Sequence, residues 1–289
     1  MEADEFLKGL AKDILSKKEL SGLSAEFVTE KINKMLSYDG KLKKRVVAKA
    51  SACKAYDQFR RTKEREELLK RTRAELREVY GAFILEGYKK RAELLEELKR
   101  EPTREAHDRI LELHQSTKER LPYYDYVYRK IFETTGIPRR IVDLACGLNP
   151  ISYPYISALD CRPEYLACDI SEEDMKFIEE YFKVRNIKGA AVKVDLLKDD
   201  ISGLTSGFDV CFLFKALDTL EATKRNISRE IMKKASSSYI VVSFATKSIG
   251  GKKSIQNERR SWFDKLVKKG GWGCSLFELP NEIFYIIKK

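Results

Sequence analysis

Short apolar runs alternate with amphipathic stretches through the second half of the chain. The runs are rich in Val, Ile, Leu and Phe, as in buried parallel strands, and the stretches between them have helical spacing. This alternation favours a doubly wound α/β sheet with right-handed crossovers, and the last two runs predict an antiparallel hairpin. The predicted strands are 140–144, 165–169, 190–195, 208–215, 238–245, 273–279 and 283–287; the predicted helices are 171–184, 218–235 and 261–269, with a helix or loop at 149–159.

The first part of the chain has a different pattern. Glu, Lys, Leu, Ala and Arg dominate, and proline is absent before Pro102, which predicts helix almost throughout. Ser24 has the features of a helix start, and the polar residues at 38–40 predict a turn. We therefore expect two domains, an all-α N-terminal domain at 1–110 and an α/β domain at 111–289.

Basic residues outnumber acidic ones most strongly at 41–63. This segment contains nine Lys or Arg and one acid, Asp57, and the whole chain has a formal net charge of +11. Leu42, Val46 and Phe59 lie near helical spacing, which leaves the cations at the outer surface. A solvated face usually mixes signs, so this one favours docking on a nucleic acid, with an ordinary solvated face as the alternative. The candidate RNA-binding cations of this segment are Lys43, Lys44, Arg45, Lys49, Arg60 and Arg61.

Cysteine and histidine usage limits the chemistry. The six cysteines form no C-x-x-C pair and most lie in apolar contexts, which favours buried free thiols over disulfides or zinc. Only two histidines are present, which argues against a histidine-based metal site, and we expect no metal. No apolar run approaches the ~20 residues needed to cross a bilayer. The N-terminus is acidic, which is opposite in charge to a secretory or mitochondrial leader. We expect a cytoplasmic monomer without a membrane partner.

Four predicted strands end in residues suited to ligand binding: Gly147, Asp169, Asp195 and Lys215. Ligands of open α/β sheets lie beyond the carboxyl ends of the strands, so these residues are expected to share one edge. Glycine allows a tight turn or close approach to the backbone. Asp169 follows Gly147 at the distance typical of an acid that binds ribose hydroxyls, and Asp195 can accept a hydrogen bond from an adenine amino group. Helix capping is the alternative for each acid alone.

The loop at 145–150 distinguishes between nucleoside cofactors. A dinucleotide site requires several glycines around a pyrophosphate, whereas this loop has only Gly147. S-adenosylmethionine has no phosphate and needs only one close backbone approach. Its carboxylate requires a cation, for which Arg120 is the candidate. Upstream, Ser116 and Glu119 have the spacing of a capping box and predict a helix start, with Pro122, which fits a first helical turn, as the alternative.

Four motifs occur in order: His114-x-Ser-Thr-x-Glu-Arg120, Asp143-x-Ala-Cys-Gly-Leu-Asn-Pro150, Phe214-Lys215 with Leu220-Glu221, and Ser243-Phe-Ala-Thr-Lys-Ser-Ile-Gly-Gly-Lys252. Together they resemble the aminoglycoside-resistance 16S rRNA (guanine-1405 N7) methyltransferases, over roughly 110–289. The resemblance implies a Rossmann-like class I S-adenosylmethionine-dependent methyltransferase fold with a C-terminal antiparallel hairpin. It also implies an N-terminal helical domain that docks on the rRNA of the 30S subunit.

The resemblance also implies roles for individual residues. Arg120 would bind the methionyl carboxylate, Gly147 the methionyl part and Asp169 the ribose. Asp195 and Leu196 would contact the adenine, and Lys215 the methionyl end. Lys252 stands where arginine is common, Gln256 near a frequent methionine, and Ala145 in place of a frequent glycine. The expected cofactor-binding set is Ser116, Arg120, Asp143, Ala145, Gly147, Asp169, Ile170, Asp195, Leu196 and Lys215, and Lys247, Lys252 and Gln256 would engage the RNA around the target base.

The expected reaction requires no general base. Guanine N7 carries a free lone pair and no proton at neutral pH, which fits a site region that contains no histidine. Methylation of another RNA or of a small molecule, and a non-catalytic ribosome-assembly factor that binds the cofactor, are the alternatives. A small-molecule enzyme would not need the basic helical extension.

Overall fold

The computed structural model describes residues 3–247 and 261–289. Its chain divides into two compact units, Met1–Ala82 and Phe83–Lys289. This division lies earlier in the sequence than the predicted boundary at 110. Within the described ranges, no helix is both long and apolar enough to cross a membrane.

The first unit is helical, as predicted. Ser24 caps one helix by accepting a hydrogen bond from the Phe27 amide, and Asp39 caps the next by accepting one from the Leu42 amide. The turn at 38–40 is thus a junction between two helices. The α-helices are Ala3–Leu15, Ala25–Tyr38, Gly40–Ser51, Tyr56–Phe59 and Lys63–Val79, with a 3-10 turn at Lys18–Leu20.

A buried carboxylate links three of these helices. Asp13 accepts hydrogen bonds from the Tyr56 hydroxyl at 2.6 Å, from Arg60 Nη2 at 2.7 Å and from Arg65 Nη2 at 2.6 Å. Burial raises the pKa of Asp13, but these hydrogen bonds outweigh burial and lower it below its ordinary value. Asp13 is therefore ionised and stabilises the helix packing of this unit.

The second unit is built on a seven-stranded sheet, whose strands are β1 Arg140–Leu144, β2 Glu164–Asp169, β3 Gly189–Lys193, β4 Val210–Phe214, β5 Tyr239–Ala245, β6 Gly273–Leu279 and β7 Glu282–Lys288. Their order across the sheet is β3-β2-β1-β4-β5-β7-β6. β1 to β5 are parallel, whereas β7 is antiparallel to both β5 and β6. The predicted doubly wound sheet with a terminal hairpin is confirmed.

Alternate residues of the central strands supply two hydrophobic clusters, because successive side chains of a strand point to opposite faces. Ile141 belongs to one cluster and Val142 to the other. The Ile141 cluster also contains Tyr88, Leu95 and Ile110. Residues between 83 and 110 thus share a core with the sheet, which explains the early division of the chain.

The helices of this unit follow the predicted order with two differences. The predicted helix at 218–235 is two helices separated by Asn226, whose φ of +65° interrupts the helical backbone. The predicted capping box at Ser116 is wrong, because the helix already begins at Gln115 and no side chain caps it. The α-helices are Arg91–Arg100, Arg104–Leu111, Gln115–Arg120, Tyr124–Thr135, Tyr153–Ser157, Glu172–Val184, Ser202–Thr205, Leu217–Thr223, Ile227–Lys234 and Ser261–Gly270; 3-10 turns lie at Tyr88–Lys90, Leu121–Tyr123 and Asn149–Ser152. A further 3-10 turn, Gly81–Phe83, includes the last residues of the first unit and the first residue of the second.

Candidate functional site

The loop after β1 makes the tight turn that its sequence predicts. Gly147 has a φ of +50°, and Ala145 has a φ of +53°. A Cβ atom at Gly147 would stand 3.1 Å from the imidazole of His114, so another residue there would crowd this ring in addition to straining the backbone. Ala145 adopts the left-handed conformation without being glycine, in a backbone region that favours glycine.

Asp169, the last residue of β2, holds this loop. Its Oδ2 accepts a hydrogen bond from the Gly147 amide at 2.9 Å, and its Oδ1 accepts one from the Ser171 amide at 3.2 Å. Burial raises the pKa of Asp169 to about 6 despite these amides. The structure thus brings Gly147 and Asp169 together at the carboxyl edge of the sheet, as predicted.

Asp143 lies beneath the same loop and is 1% exposed. Its Oδ2 accepts hydrogen bonds from Asn149 Nδ2 at 2.8 Å and from the Tyr165 hydroxyl at 2.7 Å. Its Oδ1 is buried without a hydrogen-bond partner among the residues that the structure describes. Burial raises the pKa of Asp143 to about 7, which outweighs the effect of its two donors. The Asp143 carboxyl can therefore accept a further hydrogen bond at Oδ1.

The predicted adenine-contacting residues lie at the neighbouring strand end. β3 ends at Lys193, so Asp195 lies beyond the strand and not at its last residue. The Val194 amide donates to the Asp169 carbonyl at 2.8 Å, which holds this segment beside β2. Asp195 Oδ1 accepts a hydrogen bond from the Leu197 amide at 3.0 Å. Two apolar residues of the expected cofactor site lie near these strand ends: Leu196 is buried and Ile170 is partly exposed.

Arg120 is completely buried and uses all five of its N–H donors. Nε and Nη2 donate to Glu282 at 3.2 and 2.8 Å. Nη1 donates to Asn149 Oδ1 at 3.1 Å and to the Tyr124 hydroxyl at 3.5 Å, and Nη2 also donates to Ser116 Oγ at 3.3 Å. The cation expected for a cofactor carboxylate is thus paired with a protein carboxylate in this structure.

Lys215 joins the same cluster from the end of β4. Its Nζ donates to Glu119 Oε2 at 2.7 Å and lies 3.4 Å from Glu282 Oε2. Its φ of +54° and the bonds from its amide to Ser243 fix the turn that directs the side chain inward. Sequence reasoning placed Lys215 and Arg120 at this edge but missed Glu282.

Sequence reasoning also missed His114. It stacks on Phe83 at 5.6 Å between ring centroids and packs against Gly147, so the expectation of a site region without histidine is wrong. Burial, together with nearby Arg120 and Lys215, lowers the pKa of His114 to about 3. The imidazole is therefore neutral at physiological pH and shapes the loop as an uncharged ring.

The six cations predicted for RNA binding in the first unit are all exposed, but two of them have partners. Arg45 pairs with Glu67 at 2.7 Å, and Arg60 pairs with Asp13 at the same distance. Within the described part of the chain, Lys43, Lys44, Lys49 and Arg61 form no ion pair and present full positive charges to solvent. Lys247 is also exposed, whereas Lys252 and Gln256 lie outside the described residues.

Most of the cysteines are buried free thiols, as the sequence indicates. All six cysteines are free, and five are buried; Cys274, in the edge strand β6, is exposed.

The pKa of Asp143 predicts how the stability of the second unit depends on pH. The folded carboxyl has a pKa near 7, above its unfolded value of 3.8, so the folded state binds the extra proton between these values. Its contribution to stability therefore decreases as pH rises from about 4 to 7. Asp143→Asn should remove this decrease. Relative to that of the wild type, the free energy of unfolding of the variant should therefore rise by about 3 kcal/mol between pH 4.5 and 7.5.

Urea unfolding of the cofactor-free protein followed by tryptophan fluorescence measures this effect, because both tryptophans, Trp262 and Trp272, belong to the second unit. Exposed Asp160→Asn is the control and should follow the wild-type pH profile. Parallel profiles for Asp143→Asn and the wild type would contradict the raised pKa.

The edge of the sheet offers what a nucleoside with an amino-acid tail requires. A turn closed by Gly147 allows close approach, Asp143 and Asp169 supply buried acceptors, and Arg120 and Lys215 supply buried cations. Pyrophosphate recognition would require further backbone amides at a glycine-rich helix start, which this loop does not have.

Comparisons with known proteins agree with this geometry. The family model described as "Ribosomal RNA methyltransferase (FmrO)" matches residues 45–286. The 16S rRNA (guanine(1405)-N(7))-methyltransferase of Micromonospora echinospora is 34% identical over 230 residues, which cover 76% of this chain and 82% of that protein. The protein of the same name from Proteus mirabilis is 29% identical and covers 77% and 84%.

Solved structures extend the likeness to the first unit. The crystal structure of the 16S rRNA methyltransferase RmtF in complex with S-adenosyl-L-homocysteine matches 100% of both chains with a TM-score of 0.77 and 25% identity. The 16S rRNA methylase RmtB matches 98% of both chains with a TM-score of 0.63 and 21% identity, which supports the fold. The Rossmann-like class I fold and the resemblance noted in the sequence are confirmed: the chain belongs to the ribosomal RNA methyltransferase (FmrO) family.

Proposed function

We propose that the protein transfers a methyl group from S-adenosylmethionine to N7 of guanine 1405 in the 16S rRNA of the 30S subunit, and that this methylation confers aminoglycoside resistance. The observation that carries the proposal is the family match over residues 45–286, together with relatives of this named activity that align over about three quarters of the chain. Action on ribosomal subunits also favours a cytoplasmic location, and we expect a monomer.

The second unit supplies a suitable cofactor site. Bound there, S-adenosylmethionine would supply an electrophilic methyl group. Gly147 would allow the methionyl part to approach the backbone, and Asp169 would accept hydrogen bonds from ribose hydroxyls. Arg120 and Lys215 would donate hydrogen bonds to the methionyl carboxylate. Asp195, with Ile170 and Leu196, would hold the adenine, while Ser116, Asp143 and Ala145 shape the walls near the loop.

The chemistry fits side chains that position the reactants and do not transfer protons. Guanine N7 has a free lone pair, so its methylation needs no general base, and His114, with a pKa near 3, remains a neutral wall. Catalysis then depends on aligning N7 with the methyl group, and such positioning can supply up to about 7–11 kcal/mol. Exposing the base costs a few kcal/mol, which docking can offset.

The exposed cations of the first unit suit docking on phosphates. Lys43, Lys44, Lys49 and Arg61 form no ion pair within the described residues, so a phosphate would not have to displace a carboxylate. Arg45 and Arg60 already form ion pairs with Glu67 and Asp13. Phosphate contacts make binding salt-dependent and carry no sequence information. We propose that this surface, with Lys247, Lys252 and Gln256, engages the rRNA.

A methylation assay tests the function. Purified protein is incubated with radiolabelled S-adenosylmethionine and either intact 30S subunits or naked 16S rRNA, and sites are mapped by chemical cleavage at 7-methylguanine. We expect incorporation into 30S subunits at guanine 1405, reduced at least tenfold in Asp169→Ala, which removes an acceptor of the cofactor site. Cofactor binding without transfer to 30S subunits would contradict the proposal, and transfer to another nucleotide would redirect it.

Charge reversal tests the docking surface. The triple variant Lys43→Glu, Lys44→Glu, Lys49→Glu should lower 30S affinity at least tenfold and reduce its salt dependence, because up to three phosphate contacts are lost. Cofactor affinity should not change. Reversal of the exposed Lys176, Lys183 and Lys188 of the second unit is the matched control. Equal 30S affinity of the two triple variants would show that residues 43–49 do not dock.

A further inference from the structure

Glu282 reaches the candidate cofactor site from the C-terminal hairpin. It is the first residue of β7 and is paired in register with Ala245, the last residue of β5. Because β7 runs antiparallel to β5, its beginning lies at the carboxyl edge of the parallel strands. The side chain is 0% exposed, so the hairpin delivers a buried carboxylate to the edge where ligands of such sheets bind.

Glu282 contacts both cations of the site. Its Oε1 accepts hydrogen bonds from Arg120 Nη2 at 2.8 Å and from Ser243 Oγ at 2.5 Å. Its Oε2 accepts one from Arg120 Nε at 3.2 Å and lies 3.4 Å from Lys215 Nζ. Two parallel bonds to one guanidinium fix its plane as well as its position.

The charges of the cluster balance. Arg120 and Lys215 face Glu282 and Glu119, so the buried network is neutral before any ligand is present. Burial raises the pKa of Glu282, but Arg120 and Lys215 outweigh burial and lower it below the ordinary value. Glu282 is therefore ionised throughout the physiological range, and both cations have a permanent counter-ion.

The bonds of Arg120 differ in length. Those to Glu282 and Asn149 span 2.8–3.2 Å, whereas those to Ser116 and the Tyr124 hydroxyl are 3.3 and 3.5 Å. The two longest bonds are the weakest and go to neutral hydroxyls. A carboxylate can replace such acceptors at little cost, while Glu282 and Asn149 keep the guanidinium in place.

We propose that Glu282 is a positioning residue of the cofactor site, which holds Arg120 and Lys215 in the orientation that receives the carboxylate of the methionyl group. The inference rests on the proposed function. It assigns the hairpin a role in cofactor binding: without Glu282, Arg120 loses its paired carboxylate and Lys215 keeps only Glu119.

Two ligands that differ only in this carboxylate test the proposal: S-adenosylmethionine and decarboxylated S-adenosylmethionine. Affinities are measured by calorimetry for the wild type and for Glu282→Gln, which keeps the shape but removes the charge. We expect Glu282→Gln to bind S-adenosylmethionine at least about tenfold more weakly, the equivalent of one charge-assisted hydrogen bond, and to bind the decarboxylated ligand within twofold of the wild type.

If the role of Glu282 were purely structural, Glu282→Gln would weaken the binding of both ligands equally, and that result would overturn the proposal. Unchanged or tighter binding of S-adenosylmethionine by folded Glu282→Gln would overturn it as well. The matched control is Glu278→Gln, an exposed glutamate in β6 of the same hairpin, which should bind both ligands as the wild type does.

Glu282→Asp covers the case in which the glutamine variant does not fold, as judged by tryptophan fluorescence. Aspartate keeps the charge but is one methylene shorter, so it cannot hold both Arg120 bonds. The ratio of the affinity of Glu282→Asp for S-adenosylmethionine to its affinity for the decarboxylated ligand should fall at least threefold. A ratio equal to that of the wild type would overturn the proposal. Failure of the wild type to bind either ligand would instead contradict the proposed function.

Discussion

The buried ion pair between Arg120 and Glu282 is the interaction on which the candidate site depends. Neither side chain has any exposed area, and the two residues are 162 positions apart in sequence. A buried charge without its partner costs several kcal/mol, so each side chain requires the other. Through Asn149, the pair also reaches the loop after β1. The helix Gln115–Arg120, that loop and the hairpin therefore form one polar unit.

The carboxylates of the protein divide by environment. Asp13 and Glu282 have guanidinium partners, and their pKa values are lowered in spite of burial. Asp143 and Asp169 accept only from neutral donors, and burial raises their pKa values. The first pair stabilises packing as permanent anions. The second pair stands at the strand edge, where acceptors for a polar ligand are needed.

Much of the fold follows from the sequence, because local patterns determine it. The parallel strands and the hairpin have periods and turn residues that can be recognised without tertiary information, and Gly147 and Asp169 follow from the rule that ligands lie beyond strand ends. Glu282 could not be recognised in this way, since a polar residue at the start of a hairpin strand usually faces solvent. Its burial depends on Arg120, far away in sequence. His114 was missed because its contact with Gly147 is tertiary.

The position of the domain boundary, like the role of Glu282, could not be recognised from local sequence patterns. Residues 83–110 have the composition of the preceding helices, but Tyr88, Leu95 and Ile110 pack in a core with the sheet. Helical periodicity identifies an apolar face but not what it packs against. The misplaced capping box has a related cause, since Ser116 and Glu119 have the right spacing, yet their side chains contact Arg120 and Lys215.

A double-mutant cycle on the stability of the second unit tests the central claim most directly. Arg120→Gln, Glu282→Gln and the double variant are compared with the wild type by urea unfolding, followed by tryptophan fluorescence. Because each single substitution leaves a buried group unpaired, we predict a coupling energy of about 2 kcal/mol or more, with the double variant more stable than the sum of the single effects implies. Additivity within about 0.5 kcal/mol would show that the two side chains do not depend on each other and would contradict this account.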